Sequence, residues 1–183
     1  MKPLILLIIC LSALGGQAER FLTLDEALQV CFPSAKEFKP LTVQLQPEEA
    51  KTIERDTKQK IRKREFKVWI AKPGGVLIVD QVVGKHEFID YAVAISTNGV
   101  VLQVEILEYR EHYGSQVTQP KWRDQFRGKT ARDPLKLGGD IYNITGATLS
   151  CRHVTEGVKK LLAIFEVAVR PRLPAGGGVR DPA

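Results

Sequence analysis

Thr145-Gly146-Ala147-Thr148-Leu149-Ser150 sets three hydroxyls around two small residues, just before apolar positions at Val154, Val158, Leu161 and Leu162. That spacing predicts a helix beginning in the hydroxyl run. The first backbone N–H groups of a helix lack internal partners, and its dipole places partial positive charge there, so such a start suits a phosphate. Gly146 and Ala147 leave room for a bulky group to approach the backbone. A hydroxyl here has three possible roles: helix cap, phosphate ligand, or point of covalent phosphate attachment.

Other chemistry is sparse. There is no Cys-x-x-Cys-His, and no pair of His or Cys has zinc-ligand spacing. Cys151 and His153 stand too close along one helix to face each other as a nucleophile and base. The sequence therefore gives little support to a hydrolase.

The elements that must position the motif read as follows. Thr23 with Glu26 forms a capping-box pattern for a helix through Val30, ending before Pro33. Pro47-Glu48-Glu49 opens a second helix running to about Lys60, polar on most faces and expected on the surface. Val68–Ala71 and Val76–Val79, extended by Val82-Val83, flank a Pro73-Gly74-Gly75 turn as a hairpin. Phe88–Ile95 and Val100–Leu107, joined at Asn98-Gly99, are the clearest hairpin of the chain. A short helix around Trp122–Phe126 and a loop through Asp133-Pro134 and Gly138-Gly139 lead to the Thr148 helix, which should close near Val167. Helices, a run of antiparallel strands, then helices imply an α+β fold, an antiparallel sheet flanked by helices.

Thr145-Gly146-Ala147-Thr148 resembles the Ser/Thr-Gly-Ala-Thr signature of the FMN-binding domain family, which includes flavin-bearing subunits of Rnf- and Nqr-type redox complexes. Phe88–Ile95 with Asn98–Val101 is similar to that family's paired strands. Glu108–Gly114 and Trp122–Lys129 resemble its next segment. The resemblance implies that Thr148 carries FMN through a phosphoester installed by a flavin transferase that uses FAD. It implies cofactor contacts from Thr145, Gly146, Ala147 and Ser150, with Ser150 either capping the helix or touching the phosphate. Glu111 matches the family's flavin-proximal Glu or is a solvated loop acid. Tyr113 and Trp122 either flank the isoalloxazine ring or belong to the core, and His153 either points at the phosphate or lies on the surface. Two positions depart from the family pattern. Tyr142 stands where an Asp is common, with Asp140 two residues earlier, and Glu111-His112-Tyr113-Gly114 lacks a Pro.

Met1-Lys2-Pro3, an apolar run from Leu4 to Leu14, and Gly16-Gln17-Ala18 read as a signal peptide cleaved after Ala18. The run is shorter than the about twenty residues that span a bilayer. The sequence thus divides into a signal peptide at 1–18, an N-terminal helical region at 19–74, the FMN-binding domain at 75–167 and a disordered tail at 168–183, rich in Pro and Gly after Pro171. Net charge is +6. In an exported chain that favours an anionic membrane surface or an acidic partner, or simply solubility, with no nucleic acid. Lys58–Arg64, the densest basic run, reads first as a solvated helix end and otherwise as a docking patch. Export permits a Cys31–Cys151 disulfide, and spacing leaves it open against two buried thiols.

The expectation is an exported, periplasmic or otherwise extracytoplasmic flavoprotein with covalent FMN. It would exchange electrons with a membrane or periplasmic partner rather than transform a substrate of its own. The alternative is an exported binding or assembly module that keeps the fold without flavin.

Overall fold

The computed structural model describes residues 19–174. Six strands form one antiparallel sheet in the order β1-β6-β5-β4-β3-β2. They are β1 (Glu19–Arg20), β2 (Glu37–Gln44), β3 (Glu65–Lys72), β4 (Gly75–Val83), β5 (Phe88–Ile95) and β6 (Val101–Tyr109). Every neighbour from β2 to β6 is a sequence neighbour: short turns join β3 through β6 into a meander, and the connection from β2 to β3 carries a helix. Helices α1 (Leu24–Cys31), α2 (Pro47–Thr57), α3 (Pro120–Arg123) and α4 (Thr148–Ile164) complete the α+β fold.

Strand alternation splits the core in two. Val76, Ile78, Tyr91, Val93 and Ile106 point to the face covered by α4, where Val154, Val158, Leu161 and Leu162 meet them. Leu77, Ala92, Ala94 and Leu107 point to the other face, beneath Ala27, Leu28 and Cys31 of α1. The apolar stripe expected of the Thr148 helix is therefore its core face.

The Thr23–Glu26 capping box forms as read, with Thr23 N donating to Glu26 Oε2 at 2.7 Å. Three expectations are corrected. The 19–74 region is not a helical unit, because β2 and β3 extend the same sheet, β2 pairing with β3 and β3 with β4. Its α2 ends at Thr57 and buries Ala50 and Ile53 against the core, where a polar surface helix was expected.

The boundary at 167 also fails. The last helix runs on through Phe165–Val169, with Ala168 and Val169 buried. Arg172 then donates to both carboxylate oxygens of Glu49, at 2.8 and 3.2 Å. Residues 168–173 are thus part of the packed structure. The expected disorder from 175 onward, and the leader at 1–18, lie outside the described residues. Finally, Cys31 and Cys151 are both free and buried in the separate clusters on opposite faces of the sheet. No disulfide joins them.

Gly157 fixes how closely α4 approaches the sheet. A Cβ there would lie 2.8 Å from Tyr91 Cζ and 3.0 Å from Val82 Cγ1, and closer still to the Tyr91 hydroxyl. Alanine ordinarily stabilises a helix interior by about 0.8–1.0 kcal/mol relative to glycine. Here the fully buried Tyr91 cannot give way, and overpacking costs about 1–3 kcal/mol. Gly157→Ala should therefore be net destabilising, by about 1–2 kcal/mol in denaturant unfolding, opposite in sign to the helix-propensity expectation.

Candidate functional site

The chain from Ile144 to Thr148 makes the turn that starts α4. Ala147 N donates to Ile144 O at 3.0 Å, and Gly146 adopts φ +87°, the left-handed region that favours glycine. Ala147 is buried, while Thr145, Gly146 and Thr148 face solvent. Ala147 occupies the N-cap position, and no side chain caps the helix. Thr148 is the first helical residue, so its hydroxyl has no capping duty. Its Oγ1 instead accepts a hydrogen bond from Asn143 Nδ2 at 3.0 Å. The outcome is an exposed, oriented hydroxyl beside first-turn N–H groups that no side chain occupies.

Ser150 does something different. It is buried one position beyond Leu149, and its hydroxyl lies 3.1 Å from the Tyr109 hydroxyl. Tyr109 donates its own proton to Tyr113 O at 2.5 Å, so Ser150 is the donor in the shared bond. Ser150 therefore neither caps the helix nor faces the solvent side where Thr148 sits. It ties the α4 start to the end of β6. Gly114, at φ +85°, completes that junction. A Cβ there would fall 2.9 Å from the Tyr109 hydroxyl and 3.4 Å from Ala147 Cα. Gly114 and Ala147 are both small because two turns press together here.

Glu111 is occupied by the protein. Its Oε1 accepts the backbone N–H groups of Lys85, His86 (2.5 Å) and Glu87 (3.0 Å), holding the β4–β5 turn. Partial burial works against its charge, but those backbone donors prevail and hold the carboxyl below the usual Glu range. Because the folded pKa is depressed, the ionised carboxylate stabilises the fold at and above the ordinary value of 4.5. That contribution is lost as pH falls through the lower folded value. In thermal melts, the stability gap between wild type and Glu111→Gln should close as the pH is taken below that range. A gap independent of pH would remove the charge from this account.

His153 joins the same turn to α4: its Nδ1–H reaches Val83 O at 2.5 Å and Gly84 O at 2.9 Å. The imidazole is thereby directed to the hairpin tip rather than along the helix axis toward a phosphate. Asp140, near the position where the family often has an acid, is engaged as well. It accepts from Lys129 Nζ (2.9 Å) and from the backbone N–H of Lys136 (2.8 Å).

Beside the motif lies an apolar slot of about 360 Å³, lined by Trp122, Tyr142 and Ile144 with the amides of Gln116, Gln119 and Gln125. Two bonds fix its far wall to the 120–126 segment: Trp122 Nε1 donates to Tyr142 O at 2.8 Å, and Tyr142 N donates to Gln125 Oε1 at 2.6 Å. Trp122 itself is 4% exposed and the Tyr142 ring 77% exposed. Tyr113 is 80% exposed on its turn. Trp122 is thus core and slot wall together, whereas Tyr113 and Tyr142 stand free.

Residues 84–163 match the FMN-binding domain family. The resemblance in the Gly-Ala-Thr turn and the paired strands is therefore upheld over the second half of the sheet and α4. The crystal structure of Shewanella oneidensis NqrC has a similar fold, at 18% sequence identity and a TM-score of 0.51. The alignment covers 76% of this chain and 84% of that one. No curated protein matches the chain.

Within residues 84–163, the fit to FMN can be judged from the residues present. An exposed Thr148 hydroxyl, open first-turn N–H groups and an adjoining apolar slot suit a phosphate joined to a flat aromatic ring. Among the described residues, no cluster of His, Cys, Asp or Glu could hold a metal, and no helix is long and apolar enough to cross a membrane. Asn143, Tyr109 and Gly114 were not singled out in the sequence. Tyr109 and Gly114 act through contacts across the β6–α4 junction, which only the fold creates, whereas Asn143 acts within the turn itself, five residues before Thr148.

Proposed function

We propose that this chain is an exported electron-transfer flavoprotein with FMN held covalently on Thr148. The observation that carries the reading is the placement of the Thr148 hydroxyl. It is exposed and oriented by Asn143, at an uncapped helix start inside the matched family region. Bound FMN supplies one- and two-electron redox chemistry through its ring, while the phosphate serves as the tether.

Attachment balances as a phosphoryl transfer from FAD. The bond from Thr148 Oγ1 to the FMN-side phosphorus would form as the pyrophosphate bond of FAD broke, with AMP leaving and the hydroxyl proton passing to a base of the flavin transferase. Asn143 donates to Oγ1 and so leaves the oxygen's remaining lone-pair direction open. The first-turn N–H groups of α4 would receive the phosphate oxygens. Gly146 gives the phosphate access to the backbone, and Thr145 flanks it. The slot between Trp122, Tyr142 and Ile144 is suited to shield one part of the ring from water. Ser150, Tyr109 and Gly114 contribute as scaffold, and Glu111 acts through the turn it holds rather than by direct contact.

The electron partner would be a membrane or periplasmic protein, reached after export by the leader at residues 1–18. Absorbance and intact mass of the chain isolated from its own export compartment test the reading. A colourless protein of bare-chain mass would favour the non-flavin binding module instead.

A further inference from the structure

The β4–β5 hairpin tip and the loop after α2 together form a second built surface, away from the phosphate turn. Val83 and Phe88 are paired cross-strand, and each is 47% exposed, an adjacent apolar pair on the solvent side. The tip is held firmly. Glu111 takes three backbone N–H groups of its turn, and His153 takes two carbonyls. Val83 and Phe88 also line a groove of about 640 Å³ whose opposite wall is the 58–63 loop.

That groove is strongly cationic. Lys58, Lys60, Arg62, Lys63 and Lys160 line it against two carboxylates, Glu156 and Asp80. Asp80 is buried and neutralised at 2.7 Å by Lys160. Lys63 reaches Asp80 only at 3.9 Å. Among the described residues, Lys58, Lys60 and Arg62 pair with no carboxylate, and all three are exposed. The loop itself is anchored: Ile61 N donates to Glu54 Oε1 at 2.7 Å, and Gln59 Nε2 donates to Glu156 O at 2.7 Å.

We infer that this rigid apolar tip with its cationic loop docks on an anionic phospholipid surface. Cations near such a surface are attracted by its negative potential. An aromatic and an aliphatic side chain held outward on a fixed turn can enter the headgroup boundary beside them. An acidic protein face would complement the lysines and arginine but gives no reason for an exposed Phe88 next to them. The inference is independent of the flavin reading, since none of these residues touches the Thr148 turn.

The test is co-sedimentation of the full-length chain with phosphatidylcholine vesicles, with and without phosphatidylglycerol. The apolar leader, with Lys2 and the N-terminal amine at its start, is the same in every variant, so its contribution cancels when variants are compared with wild type on the same lipid. Wild type should partition more into the anionic vesicles, and the difference should vanish in about 1 M salt, where the Debye length falls to about 3 Å. Lys60→Glu/Arg62→Glu should lower anionic partitioning at least about tenfold, each cation being worth about fivefold before its sign is reversed. Phe88→Ser should lower it several-fold while leaving the salt dependence in place. Unchanged thermal midpoints would show that these surface variants fold. Equal binding to both lipids, or full anionic binding in either variant, overturns the inference. Absence of vesicle binding overturns it too and would leave an acidic protein as the occupant.

Discussion

Thr148→Ala is expected to eliminate covalent flavin completely while leaving a folded protein. The substitution removes the only exposed hydroxyl on the first residue of α4, which Asn143 orients at 3.0 Å. It costs the fold little, because Ala147 is the N-cap and Thr148 makes no capping bond. Alanine also suits a helix at least as well as threonine. Stability should therefore stay within about 0.5 kcal/mol of wild type, the range of ordinary surface changes. The measurements are in-gel flavin fluorescence after denaturation and intact mass, in cells co-expressing a flavin transferase.

Thr145→Ala should reduce the yield without abolishing it, since Thr145 flanks the turn. Ser150→Ala should leave attachment intact and lower the melting temperature, because its hydroxyl is buried against Tyr109. Flavin mass persisting in Thr148→Ala and lost in Thr145→Ala would move the attachment to the other oxygen. A wild-type chain of bare mass in these cells would end the covalent reading.

The contrast between Thr148 and Ser150 shows where sequence reading stops. Both are hydroxyls at the start of one helix, and propensity treats them alike. They differ by two positions, which turns one toward solvent and the other toward β6. That turn was legible because Gly146 and Ala147 have local reasons to be small, and the meander was legible because its turns sit in the sequence at Pro73–Gly75 and Asn98-Gly99. β2 was missed: its exposed and half-buried residues, with Pro40 in the middle, give no continuous apolar run. It belongs at the sheet edge, where proline is tolerated.

Glu111 was read as flavin-proximal or solvated, and its partners at residues 85–87 are more than twenty positions away. Such a contact leaves no local pattern. The same holds for Arg172 and Glu49, whose pairing carries the structure past the expected end of the domain.

Arg123→Met is expected to destabilise the protein severely, by about 3–5 kcal/mol, the cost of removing one partner of a buried ion pair. Nothing in the sequence sets Arg123 apart from the neighbouring Lys121 and Arg127. In the fold its guanidinium sits 2.6 Å from Glu105 Oε1, with both side chains nearly buried. It also donates to Val104 O at 2.5 Å and Thr118 O at 3.0 Å. Methionine keeps much of the volume but leaves the Glu105 carboxylate without its cation in a desolvated place. The same bonds hold the 115–126 segment against β6, and that segment supplies Trp122 to the slot. Loss of stability should therefore come with loss of flavin shielding, read as increased quenching of the attached flavin by a soluble quencher. Arg123→Met/Glu105→Leu removes both charges and should recover much of the stability, because an apolar pair of similar volume replaces a buried ion pair at little cost. A single variant that melts within about 1 kcal/mol of wild type would mean that water reaches Glu105, and the pair would then count as an ordinary surface bridge.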